Sequence, residues 1–109
     1  MNFRIVAFHY PKAEHHDEMV RRCGRAAEVM ATSPGCLDVE VWKEESGGAV
    51  VTTGKFESKE ACMYALRKAA AEADIQFDDR ESRPREVHNL IEAIYARGQG
   101  REEQEHYGR

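Results

Sequence analysis

The stretch that most constrains this chain is PGCLDVEVWKEESGGAVVTTGKFES, from Pro34 to Ser58. Between Cys36 and Lys43, the apolar Leu37, Val39 and Val41 alternate with Asp38, Glu40 and Trp42, the period of a strand with one face in a core. Ser46-Gly47-Gly48 supplies residues that tolerate positive φ, as a hairpin turn demands. Ala49 to Phe56 is rich in Val and Thr, which suit a pleated surface. Pro34-Gly35 closes what comes before, and Ser58 is placed to cap a following helix. The spacing therefore predicts a central β-hairpin, against which the rest of the chain must pack.

On the N-terminal side, FRIVAF (Phe3 to Phe8) reads as a first strand, stopped near Pro11, which has no amide hydrogen for a ladder. Met19, Cys23, Ala26, Ala27 and Met30 then recur at helical spacing, with Glu14, Asp17 and Glu18 at the end where the helix dipole favours carboxylates. Arg21, Arg22 and Arg25 are expected on the outer face of that helix. Ser58 opens a second helix with Ala61, Cys62, Ala65, Leu66 and Ala69 on one side, a stripe small enough to lie close to a sheet. Met63 and Arg67 point away from it, and Tyr64 lies off its centre.

Residues 72–85 break the pattern and read as a loop anchored by Ile75 and Phe77 and ended by Pro84. Its charges, Asp78, Asp79, Arg80, Glu81, Arg83 and Arg85, are expected to be solvated and to pair among themselves with little gain. A lid whose arginines attract an anionic substrate is the other reading of the same charges. In EVHNLIEAIY (Glu86 to Tyr95), Val87, Leu90, Ile91 and Ile94 fit either a strand or a helix. RGQGREEQEHYGR, residues 97–109, has almost nothing to bury and reads as a tail, or as an arm ordered by a partner.

The Pro-Gly-Cys-Leu start at Pro34, the Glu-Val at 40–41, the short turn, the Val/Thr strand and Phe-Glu-Ser-Lys-Glu-Ala at 56–61 resemble the antibiotic-biosynthesis monooxygenase family. In order and length of elements the likeness runs from Asn2 to Tyr95. It implies an α+β, ferredoxin-like β-α-β-β-α-β domain over residues 1–96, followed by a charged tail at 97–109. The fold would be a four-stranded antiparallel sheet with two helices on one face. The resemblance favours a strand for Glu86 to Tyr95. It also implies pairing into a dimeric α/β barrel through the open sheet face. The residue pattern argues the same way, because Trp42 and its neighbours would leave that face too apolar for water.

Composition bounds the function. The chain has 109 residues, enough for one domain, and a net charge of −4 that argues against general binding to nucleic acid. No apolar run is long enough to span a membrane, and no secretory signal pattern opens the sequence. Cys23, Cys36 and Cys62 form no Cys-x-x-Cys pair, and an odd number suits a reduced, cytoplasmic protein. His15-His16-Asp17 is the nearest approach to a metal motif, but neighbouring helical side chains diverge by about 100°. No metal or other cofactor is expected.

Four residues are candidates for chemistry: His9, Trp42, Tyr64 and His88. His9 ends the first strand beside Tyr10, where an imidazole can exchange protons near neutral pH, although an exposed strand-end residue is the commoner case. Trp42 suits an aromatic pocket wall or a dimer anchor, and Asp38 and Glu40 on its face favour the interface. Tyr64 either leans over a cavity or simply covers the core. His88 and Asn89 fall on opposite faces of the last strand, so one of them needs a polar partner inside.

The resemblance implies oxidation of an aromatic, polyketide-like molecule by O2 without metal or flavin, the substrate's own anion supplying the electrons. That chemistry requires an enclosed apolar pocket, a proton acceptor and donors to steady the anion. A haem-degrading branch of the same superfamily uses an Asn on the first strand, a Trp on the second helix and a His just beyond it. This chain has Val6 or Ala7 at the first position, no Trp in 62–66, and no histidine between His16 and His88, so haem degradation is disfavoured. The competing reading is a non-catalytic dimeric module that binds a small ligand or another protein.

Overall fold

A computed structural model describes residues 1–99. The elements follow in the order β1 (Phe3–His9), a 3-10 turn (Ala13–His15), α1 (His16–Ala31), β2 (Cys36–Lys43), β3 (Val50–Phe56), α2 (Lys59–Glu72) and β4 (Glu86–Ile91). The strands form one sheet in the order β2-β3-β1-β4, every neighbouring pair antiparallel. This is the ferredoxin-like split β-α-β arrangement, with both helices on one face.

The core lies between that face and the helices. Phe3 and Ile5 of β1, Val50 and Phe56 of β3, Ala26 and Met30 of α1, and Cys62, Ala65 and Ala69 of α2 are all buried there. The small stripe of α2 allows the close approach expected of it. Gly35, before β2, shows how close: its φ is +83°, and a Cβ there would lie 2.7 Å from the Ala61 side chain. Glycine alone satisfies both demands. Ser58 caps α2 by accepting a hydrogen bond from the Ala61 amide at 3.1 Å.

Several details depart from the sequence expectation, among them Phe77, which was expected to anchor the loop at 72–85 and is exposed. Alternation places Leu37 inward with Val39, but a β-bulge between Cys36 and Asp38 interrupts it. Cys36 takes the place against the core and Leu37 stays exposed. Met63, expected to point away, is partly buried against the core. Arg22, expected on the outer face of α1, is only 2% exposed. The stretch after α2 is not a fully solvated loop: Glu81 is buried, and Arg80 and Arg85 are half-buried.

The segment Glu86–Ile91 is a strand, paired with β1 from Phe3↔Ile91 to Phe8↔Glu86. All six of its residues are exposed, because the helices lie mainly over β2, β3 and β1 and leave β4 projecting at the edge. Residues 92–99 continue without regular structure. Of the expected tail at 97–109, residues 100–109 lie outside the described residues.

Candidate functional site

Because the helices stop short of β4, a gap opens between α1, α2 and the β1–β4 side of the sheet. The connection from Ala73 to Arg85 roofs it. The result is a cavity of about 210 Å³. Ile5, Met19, Met30, Leu66, Ile75 and Val87 supply apolar wall, and Ala7, Ala26 and Ala69 leave the room. Into this lining project His9 from β1, Arg22 and Cys23 from α1, Thr52 from β3, and Asp74 and Arg85 from the roof.

The roof is held by three arginines. Arg22 donates from Nε to the Asp74 carbonyl at 3.2 Å and from Nη2 to the Gln76 carbonyl at 2.6 Å, and it pairs with the Asp74 carboxylate at 3.2 Å. Its Nη1 meets the Met19 sulfur at 3.8 Å. Arg85 donates to the carbonyls of Ile75 and Gln76 at 2.7 and 2.9 Å and grips the Glu81 carboxylate through Nε and Nη2. Arg80 bridges Glu18 of α1, Asp74 and Asp78 at 2.9, 3.2 and 2.6 Å. Its hydrogen bonds hold the carboxyls of Asp78 and Glu18 below the usual carboxylate range.

The same roof is stitched to the end of β1. Lys12 donates its amide to the Arg80 carbonyl, Ser82 donates its amide to the Tyr10 carbonyl at 2.7 Å, and Arg83 stacks 3.8 Å above the Tyr10 ring. His9 is thereby enclosed. Its Nδ1 is buried without a hydrogen-bond partner and lies 4.0 Å from Oε1 of Glu81. Burial, and then Arg85 and Arg22, press the imidazole down to about 4 against the pull of Glu81, so it is neutral at pH 7. Burial also pushes the Cys23 thiol up, which keeps it protonated.

A neutral imidazole in an apolar, cation-flanked cavity can accept a proton from a ligand hydroxyl and leave the resulting anion beside positive charge. Of the four residues expected to carry chemistry, His9 alone reaches this cavity. Trp42 stands on the open face of the sheet, 59% exposed, its Nε1 donating to Glu40 at 3.1 Å. His88 is on that same face, edge-on to Phe8 with ring centroids 6.2 Å apart. Tyr64 projects from the outer side of α2. The open face thus brings Trp42 and His88 onto one surface, at opposite edges of the sheet and roughly 16 Å apart at the usual strand spacing and rise.

Arg22 and Glu81 belong to the site although nothing in the sequence reading placed them there, and Arg85 entered only through the alternative of a lid whose arginines attract an anion. Arg22 left one signal. It sits three residues after Met19 and four before Ala26, squarely on the apolar stripe, and a charge on such a stripe needs a buried partner. For Glu81 and Arg85 the sequence carries no comparable mark, because their partners come from tertiary folding.

The fold and this helix-side cavity define a class, small ferredoxin-like domains that enclose a pocket between sheet and helices. Within it, the family model described as antibiotic biosynthesis monooxygenase matches residues 2–75, and the chain belongs to that family. Among solved structures, the chain is similar to Rv0793 from Mycobacterium tuberculosis, with a TM-score of 0.72 and 15% identity over 89% of this chain and 100% of that one. A conserved protein from Methanosarcina mazei Go1 gives 0.75 and 17%, over 85% and 94%. A point mutant of SnoaB, a cofactor-independent oxygenase from Streptomyces nogalater, gives 0.65 and 13%, over 86% and 95%. At these identities the likeness is one of fold. A comparison with curated proteins by sequence finds no match.

Proposed function

We propose that this protein is a cofactor-independent monooxygenase that acts on a small phenolic aromatic with O2. The observation that carries the reading is the neutral, buried His9 in an apolar cavity flanked by Arg22 and Arg85. Family membership and the similarity to SnoaB support it. His9 takes the proton of the bound substrate, and the arginines hold the anion. The anion passes one electron to O2, and recombination forms a carbon–oxygen bond and a hydroperoxide. Loss of water then leaves a ring carbonyl. The phenol O–H and one ring C–H are broken and four electrons are given up in all as the ring becomes a quinone; one oxygen atom enters the product and the other leaves as water. The cavity, at about 210 Å³, lies below the roughly 300–1,000 Å³ of pockets for drug-sized ligands, which favours one or two rings over a larger polyketide.

Trp42, Tyr64 and His88 stand outside this cavity, so their part in the chemistry is proposed to be indirect. Trp42 and His88 lie on the open sheet face together with Phe8, Val51 and Leu90, and we propose that a second copy of the chain covers it, giving a homodimer. Three free cysteines fit a reducing compartment such as the cytoplasm.

The test is oxygen uptake by chelator-treated protein with a panel of hydroquinones and naphthalenediols. Uptake that survives chelation and falls by roughly 10²–10⁴ in His9→Gln supports the reading. No uptake by the wild-type protein across the panel overturns it. One observation favours a second reading, a ligand-binding module without catalysis: most guanidinium nitrogens of Arg22 and Arg85 already donate to carbonyls and carboxylates. Binding of the same compounds without consumption of O2 is its signature.

A further inference from the structure

Glu81 is an unusual acid. Its side chain has no exposure at all, yet it lies in a connection, at the isolated bridge Pro11↔Glu81, outside any helix or sheet. Arg85 occupies part of its capacity, with Nε 3.1 Å from Oε1 and 3.0 Å from Oε2, and Nη2 2.7 Å from Oε2. A carboxylate offers about four acceptor positions, so Oε1 retains room for another donor. The group facing it is His9 Nδ1, at 4.0 Å, itself buried without a hydrogen-bond partner. A contraction of about 1 Å would make this a hydrogen bond. Both residues are carried on one clamped unit, because Ser82 ties residue 10 to the roof through its amide and its hydroxyl.

We propose that Glu81 is the positioning residue of this cavity: it accepts the Nδ1–H of His9, which leaves Nε2 as the base toward the ligand, and steadies the imidazolium formed there. The inference rests on the reading that His9 accepts a proton from a bound ligand. In that step the ligand O–H bond breaks, its electron pair stays on oxygen, and an N–H bond forms at Nε2. The new positive charge faces the Glu81 carboxylate, and the new negative charge on the ligand faces Arg22. Arg85 holds the Glu81 side chain through both of its oxygens, which fixes it opposite the ring. The charged and titratable groups that share the cavity with the imidazole are Glu81, Arg85 and Asp74 from the connection and Arg22 and Cys23 from α1. Asp74 is engaged by Arg22 and Arg80, so Glu81 is the acid set against the ring, and removing it takes away the carboxylate 4.0 Å from Nδ1. A carboxylate that merely anchored Arg85 would still shift the titration of His9 by its charge, but it would not set the tautomer.

The test is nitrogen-15 NMR of the full chain with labelled histidine, which reads tautomer and titration without any turnover. In the wild-type protein at pH 7, His9 is expected as the Nδ1–H tautomer, and in Glu81→Gln its titration midpoint is expected to fall by on the order of one pH unit. An Nε2–H tautomer in the wild-type protein overturns the inference, and so does an unchanged or raised midpoint in Glu81→Gln. Should the variant fail to fold, the wild-type tautomer decides alone. Oxygen uptake is read separately. The expected tautomer and shift without uptake would remove the oxygenase and keep Glu81 as the partner of His9, whereas uptake with the wrong tautomer would do the reverse.

Discussion

The guanidinium of Arg22 donates to the backbone carbonyl of Gln76 at 2.6 Å, a bond between α1 and a point 54 residues further along the chain. It fixes the roof of the cavity to its floor. An extended connection has no neighbouring strand to accept its carbonyls, so a buried side chain must supply the donors. Arg22→Met keeps the apolar stem and removes them. It is expected to cost roughly 1–3 kcal/mol through the carbonyls left unpaired. Hydrogen exchange should rise in residues 74–82 and stay unchanged in α2. Uniform loss of protection across the domain would mean that Arg22 serves the whole core and not the roof.

His9 makes stability depend on pH in a defined window. In the unfolded chain its imidazole titrates near 6.5, and in the folded protein burial, with Arg85 and Arg22, lowers this to about 4. Between these values the unfolded chain binds the extra proton, so stability rises with pH there and is lost as pH falls from 6.5 toward 4. The span corresponds to about 3 kcal/mol at most. Urea unfolding across this range is expected to show the loss in wild-type protein and a flatter profile in His9→Gln. Identical profiles would place His9 in water.

The hairpin and both helices were legible because each rests on local chemistry: alternation in 36–43, Ser58 ahead of a helix, and the small stripe from Ala61 to Ala69; the last strand, whose spacing fits a helix equally, was reached only through the family resemblance. His9 was legible as a strand-end imidazole. What enclosed it was not, because the roof is built by pairs between residues more than fifty positions apart, such as Arg22 with Asp74 and Arg80 with Glu18. The bulge at Leu37 was hidden for a different reason. One extra residue shifts the strand period without altering composition, and only the pairing of Cys36 with Phe56 and of Asp38 with Lys55 reveals it.

Packing of α2 against the sheet gives a sharper test of the core than its cap does. Ser58→Ala removes one cap bond and is expected to cost about 1 kcal/mol. Ala65 has no exposure, so Ala65→Leu forces several methylenes into a filled space and is expected to cost roughly 1–3 kcal/mol or more in thermal or urea unfolding. A neutral effect at Ala65 would mean that α2 rides further from the sheet than its small stripe implies.

The open face of the sheet sets the last expectation. Trp42, Val51 and Phe8 are directly opposite one another across β2, β3 and β1, and Val6 and Leu90 extend the apolar surface toward β4. Half-exposed Trp42 and Leu90 are costly to leave in water, while a stable face-to-face pairing buries roughly 1,200–2,000 Å² in total. Sedimentation of the wild-type protein is therefore expected to give the mass of two chains. Trp42→Lys would place a charge of the same sign on each copy within a desolvated contact, and should shift the mass to one chain at micromolar concentration. The cavity lies on the other face, so far-UV circular dichroism and the titration of His9 should survive that change. A wild-type protein that sediments as one chain would leave the exposed tryptophan to a different partner.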